Sequence, residues 1–150
     1  MISIPIFIAV FVGSNMAPEN NWLTDYSQAK SKSAETGKPI LAFFTGSDWC
    51  GWCEKLKSEV LDTVPFRRWA AEKMVLLELD FPKTKVQAEP LAKQNRQLAE
   101  QLQIGSFPTI VYLDKHGHEL ARTGYLEQRG PWPWIKNSEK ILAESSHHEH

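Results

Sequence analysis

The stretch Ile40-Leu41-Ala42-Phe43-Phe44-Thr45-Gly46-Ser47-Asp48-Trp49-Cys50-Gly51-Trp52-Cys53 decides how this chain is read. Its first five residues are continuously apolar, the pattern of a strand buried on both faces. Thr45-Gly46-Ser47-Asp48 breaks the run, and Asp48 or Trp49 leads into a helix reaching Leu61, with Leu56 and Val60 on one face. Cys50 therefore stands at a strand-to-helix junction, where free backbone N–H groups and the helix dipole favour negative charge. The attacking species in disulfide exchange is a thiolate, so a cysteine placed there is favoured as a nucleophile. Cys53, one helical turn later, is placed to attack a mixed disulfide formed at Cys50. This spacing makes Cys50 the exposed nucleophile and Cys53 the more buried resolving thiol.

The whole sequence supports redox use of the pair. It has 150 residues, 2 of them cysteine, a length suited to one domain with one substantial core. A disulfide closing so short a loop restrains the unfolded chain little, so its value lies in being made and broken. A structural zinc site needs four ligands; no second cysteine pair exists, and His116 and His118 fall in an expected turn. Covalent haem attachment through C-x-x-C-H fails because residue 54 is Glu. Two inert buried cysteines remain the bland alternative. The formal net charge of -1 gives no electrostatic case for nucleic acid or an anionic membrane as the main partner.

Outward from the motif, the chain alternates. A helix is expected from Trp22 to Gly37 and a second buried strand over Met74–Phe81. Between them the Thr63–Lys73 stretch is helical, with Phe66, Trp69 and Ala70 inside. Residues 82–90 read as a loop, followed by a helix with Leu91, Leu98 and Leu102 on its stripe. Thr109–Leu113 and His118–Thr123 form a hairpin, and a helix runs from Pro131 or Trp132 to Glu144, anchored by Trp132-Pro133-Trp134. Strands separated by helices pair in parallel through crossovers, while the closing hairpin is antiparallel. The fold class is α/β: a central mixed β-sheet flanked by helices on both faces.

On Phe43 to Cys53, and on Phe107-Pro108-Thr109 opening a later strand, the chain resembles the thioredoxin superfamily over about residues 20–144. Within it, the G-S-D-W-C-x-W-C form resembles the bacterial envelope disulfide reductases. The resemblance implies the thioredoxin fold and a cis bond before Pro108, which faces the cysteine pair. It also implies catalysis by Cys50 and Cys53, with substrate contacts at Trp49, Gly51, Trp52, Phe107 and Pro108. Proline, lacking an N–H, leaves the neighbouring backbone free to pair with an extended substrate peptide. The implied partners are protein disulfide substrates and an upstream thiol electron donor such as a membrane reductant carrier. No cofactor and no metal are implied, and the protein is expected to be a monomer. An isomerase or oxidase, or a non-enzymatic thioredoxin-like binding module, stand as the competing readings.

Thioredoxins carry a buried aspartate on the strand before the motif; here the corresponding positions are Phe43 and Phe44, and its lysine partner is missing from Val75-Leu76-Leu77. The joint loss is consistent, since either charge buried alone is costly. Glu78, Asp48 and Glu54 are the carboxylates left to replace it. The segment from Asp80 to Phe107 is longer than in a minimal thioredoxin. Gly51-Trp52 offers no cation to stabilise a thiolate, which makes the pair a reductant rather than a strong oxidant. At the N-terminus, the apolar run Ile2–Val12 is too short to span a membrane and fits a signal-peptide h-region, although no basic residue precedes it. Residues 1–18 are thus expected to be a signal peptide or N-terminal anchor of a periplasmic or otherwise exported protein. The alternative is a buried N-terminal strand in a cytoplasmic one. Residues 145–150 are expected to be a flexible tail, solvated through His147, His148 and His150.

Overall fold

The apolar run forms strand β1 (Ile40–Thr45), with all six residues buried. The computed structural model describes residues 19–127 and 130–147; the expected export segment and the last three tail residues lie outside them. Strand β2 (Val75–Asp80) pairs with β1 in parallel, and β3 (Thr109–Leu113) pairs with its other edge antiparallel. Strand β4 (Glu119–Gly124) is antiparallel to β3, which gives the order β2-β1-β3-β4. The parallel rule fails at β3. Helix α4 (Glu89–Gln101) with its two connecting segments returns the chain to the sheet end it left, so β3 must run the opposite way. Phe44 pairs with Thr109, which brings Pro108 level with the strand end that leads to the cysteines.

Alternation along the strands divides the core. Leu41, Phe43, Leu76, Ile110 and Tyr112 pack with α2 (Gly51–Leu56), α3 (Val64–Lys73) and α5 (Pro131–Ser146). Ile40, Ala42, Phe44, Leu77 and Val111 pack with α1 (Tyr26–Thr36) and α4. Helix α1 starts later than its apolar spacing suggests, with Asp25 accepting from Gln28 N at 3.0 Å and Gly37 closing it at φ 73°. Trp22 and Leu23 are drawn out because Leu23 bonds the outer edge of β2, donating to Leu76 O at 2.9 Å and accepting from Glu78 N at 2.8 Å. Backbone pairing there overrides side-chain periodicity.

The expected single helix to Leu61 is instead α2 followed by a π-helical turn, Lys57–Leu61, which directs both Val60 and Leu61 into the core. On α4, Leu98 is buried but Leu91 only partly. The deeper polar residue is Asn95, whose Nδ2 donates to Asp80 O at 3.0 Å. Helix α5 continues through Ser146, past the expected end at Glu144. Of the two tryptophans near its start, Trp132 is exposed and only Trp134 anchors, donating from Nε1 to Gly124 O at 3.0 Å. Its ring meets Phe66 at 5.8 Å and Trp69 at 6.4 Å. Tyr112 Oη donates to Ser138 Oγ at 2.6 Å, and burial pushes that phenol up. Strand β4 carries a register shift opposite Tyr112 and Leu113 and an ion pair between Glu119 and Arg122.

Removing the Trp134 ring leaves a cavity among Phe66, Trp69 and the sheet. Trp134→Ala is expected to cost about 3–5 kcal/mol, read as a lowered urea midpoint. A loss under about 1 kcal/mol would mean that α5 is held elsewhere.

Candidate active site

The junction after β1 is built by backbone bonds to one carbonyl. Gly46 O accepts from Trp49 N at 3.3 Å and from Cys50 N at 2.9 Å, turning the chain sharply into α2. The Trp49 indole lies where a side chain on Gly46 would stand, so only glycine fits there. Cys50 caps α2: its Sγ accepts from Cys53 N at 3.2 Å, and its carbonyl accepts from Glu54 N at 3.2 Å. The two cysteines are joined in a disulfide, with Cα atoms 5.3 Å apart. Cys53 is 1% exposed and Cys50 6%, so the expected order holds while the expected open exposure of Cys50 does not. Its sulfur is bonded inward to Cys53.

The loop after β2 completes this end of the molecule. Asp48 Oδ1 accepts from Lys83 N at 2.9 Å; Oδ2 accepts from Thr84 N at 2.8 Å, Thr84 Oγ1 at 2.7 Å and Lys85 N at 2.9 Å. These bonds, the Lys83 amide first, hold the Asp48 carboxyl far below the usual carboxylate range. Asp48 is therefore a fastener and not a proton acceptor. Trp49 Nε1 donates to Phe81 O at 2.7 Å, and Lys83 Nζ lies 4.0 Å from the centre of the Trp49 ring. Ser47 N donates to Asp80 Oδ1 at 2.8 Å, and Ser47 Oγ donates to Oδ2. In the sequence this loop registered only as extra length.

The bond before Pro108 is cis. Phe107 meets Trp49 at 5.6 Å and Phe81 at 5.3 Å, so rings from three separated segments pack together. Beside them a cleft of about 520 Å³ is lined by Trp52, Gly105–Thr109 and the end of β4. Trp52 is 57% exposed and packs on Tyr125 at 5.2 Å; Lys55 Nζ lies 5.1 Å from the centre of the Trp52 ring. Tyr125 is held by its hydroxyl, which donates to Glu59 Oε2 at 2.9 Å. Nothing in the sequence marked Tyr125, because only the fold carries it across to Trp52. Gly51 is exposed, with open space where a side chain would go.

The two phenylalanines in place of the thioredoxin aspartate separate. Phe43 packs on the cysteine side of the sheet and Phe44 on the opposite side. Thr45, the next residue on the cysteine side, is 1% exposed and shares a cavity of about 220 Å³ with Ser47, Cys53, Glu54, Lys57 and Asp62. Glu78, opposite Phe43 on β2, is partly buried; desolvation raises its carboxyl pKa, and Lys57 opposes that shift.

A family model described as a thioredoxin-like domain matches residues 26–138. The disulfide bond reductase DsbH of Chlamydia pneumoniae is 36% identical over 110 residues, covering 73% of this chain and 66% of that protein. The thioredoxin-related protein DsbJ of the same organism is 35% identical over 103 residues, 69% of this chain but 30% of its own length. The chain thus spans just under two thirds of the first relative and under a third of the second. A solved DsbH oxidoreductase superposes with a TM-score of 0.80 at 33% identity, covering 85% of this chain and 87% of that one.

The lowered Asp48 pKa sets the sign of one pH effect. Its stabilisation is present above the unfolded carboxylate range, about 3.9, and is lost as pH falls through the folded value. Thermal melts across acidic pH should show the wild type losing stability below about pH 4 and Asp48→Ala losing less, from a lower starting point. Parallel curves would rule out the carboxylate as the fastener of residues 83–85.

Proposed function

The chain belongs to the thioredoxin-like domain family, and from that premise we propose that it is a thiol–disulfide oxidoreductase working as a reductase of protein disulfides in the cell envelope. The observation that carries the reading is the Cys50–Cys53 disulfide at the start of α2, with the Cys53 amide donating to Cys50 Sγ. In the reduced protein the same amide and the helix start stabilise a Cys50 thiolate. That thiolate attacks one sulfur of a substrate disulfide; the substrate S–S bond breaks, and the departing thiolate takes a proton from solvent. Cys53 then gives up its proton and attacks Cys50 Sγ, forming the internal disulfide and releasing the second substrate thiol. Both electrons come from the two sulfurs, so no cofactor or metal is needed. An upstream thiol donor, such as a membrane reductant carrier, restores the pair.

Trp49, Gly51, Trp52, Phe107 and Pro108 form the substrate surface in this reading. An extended peptide lies in the cleft beside Pro108, whose missing N–H keeps that position out of the fold's own ladder. The reducing direction rests on Gly51-Trp52, which places no cation between the cysteines, while Lys55 and Lys83 lie over tryptophan rings. Placement in the envelope rests on the apolar run Ile2–Val12, read as an export signal.

Equilibration with glutathione, followed by tryptophan fluorescence, should give a potential nearer thioredoxin's, about -270 mV, than DsbA's, about -120 mV. A value near the latter would make the protein an oxidase. Cys50→Ser should abolish insulin reduction, and Cys53→Ser should accumulate mixed disulfides through Cys50. Full cellular function of the Cys50→Ser variant would leave a binding module instead.

A further inference from the structure

Thr45 is the last residue of β1, on the face shared with Phe43 and the cysteines. Its hydroxyl is buried, and among the described residues Oγ1 has no hydrogen-bond partner. A buried hydroxyl normally finds a partner in protein or water, so an orphaned one calls for a reason. Thr45 also lines the cavity that reaches Cys53, whose other walls include Ser47, Glu54, Lys57, Ser58 and Asp62. The cavity, about 220 Å³, is lined mostly by residues with polar side chains and is several times the roughly 30 Å³ that one water occupies.

We propose that Thr45 is a positioning residue that, through water in this cavity, stabilises the Cys53 thiolate as it attacks the mixed disulfide. The inference rests on the reductase reading given above. When Cys53 attacks, its thiol proton passes to cavity water and on to solvent. The new bond joins Cys53 Sγ to Cys50 Sγ, the bond from Cys50 to the substrate sulfur breaks, and the leaving thiolate is protonated from solvent. Thr45 neither gains nor loses a proton overall; its hydroxyl orients the water that faces the sulfur. An uncharged residue can fill this place without the ion partner that a buried carboxylate needs. The charged groups around the site are Glu54 on α2, Lys57 and Asp62 at the π turn, Glu78 and Asp80 on β2, and Lys85 in the clamped loop. Asp80 is occupied by Ser47, and Lys85 Nζ donates to Ser47 Oγ at 3.2 Å.

The test uses the full chain, reduced and mixed with 5,5'-dithiobis(2-nitrobenzoate) across a pH series in a stopped-flow instrument. The first release of nitrothiolate reports attack by Cys50, and the second reports resolution by Cys53. Thr45→Val and Thr45→Ala should slow the second phase about tenfold at neutral pH and move its inflection upward by about one pH unit. Thr45→Ser should restore both. A second phase with wild-type rate and inflection in both hydroxyl-free variants would overturn the proposal. So would an inflection moved by Glu78→Gln and not by Thr45→Val, which would assign the task to that carboxyl. Absence of the first phase in the wild type would instead defeat the reductase reading itself, and this proposal with it.

Discussion

Every backbone polar group of β1 must find its partner inside the sheet, because all six residues of that strand are buried. This constraint places β2 on one side of β1 and β3 on the other, and so makes β1 the axis of the molecule. The chain can leave that axis only at its ends. One end is the turn at Gly46, where a single carbonyl gathers two amides and starts α2 at Cys50. Because β3 runs antiparallel to β1, its first residues come to that same end, and Pro108 is carried there by register. Cysteines and proline, more than fifty residues apart in the chain, meet because one strand has no face or edge toward water.

Around this axis two kinds of interaction finish the site. The Asp48 carboxylate takes the amides of residues 83–85, and Trp49 bonds the carbonyl of Phe81, so the connection after β2 is sewn to the cysteine turn. Ring packing of Trp49, Phe107 and Phe81 then joins that connection to the strand carrying Pro108. On the other flank, Tyr125 backs Trp52 and is itself tied to Glu59 on the π turn. The aromatic rings around the cysteine turn are thus held by polar bonds at their margins.

Much of this was legible in the residues. The run at 40–44, the break at 45–48 and the cysteine spacing gave the strand, the turn and the pair, because burial on both faces leaves a plain apolar signature. The limits have physical causes. The direction of β3 depends on where α4 delivers the chain, which no local pattern records. The exit of Leu23 from α1 depends on an unpaired edge of β2 that exists only once the sheet has formed. The π turn and the burial of Asn95 are likewise consequences of packing. Tyr125 and the loop at 82–85 carry no chemical motif, so their part in the site appeared only with the fold. Phe43 and Phe44 looked equivalent as replacements for a carboxylate, yet alternation sends them to opposite sides and brings Thr45 to the cysteine side instead.

The two outer edges of the sheet are finished differently. The β2 edge is partly capped by Leu23, which takes one acceptor, Leu76 O, and one donor, Glu78 N, that another strand could use. Among the described residues the β4 edge pairs with no further strand, but it is irregular opposite Tyr112 and Leu113 and carries the charged pair of Glu119 and Arg122. Short, bulged and charged edges discourage edge-to-edge growth of sheets. If the Pro108 cleft pairs with an extended peptide as proposed above, such edges leave fewer places elsewhere on the sheet at which another strand can add.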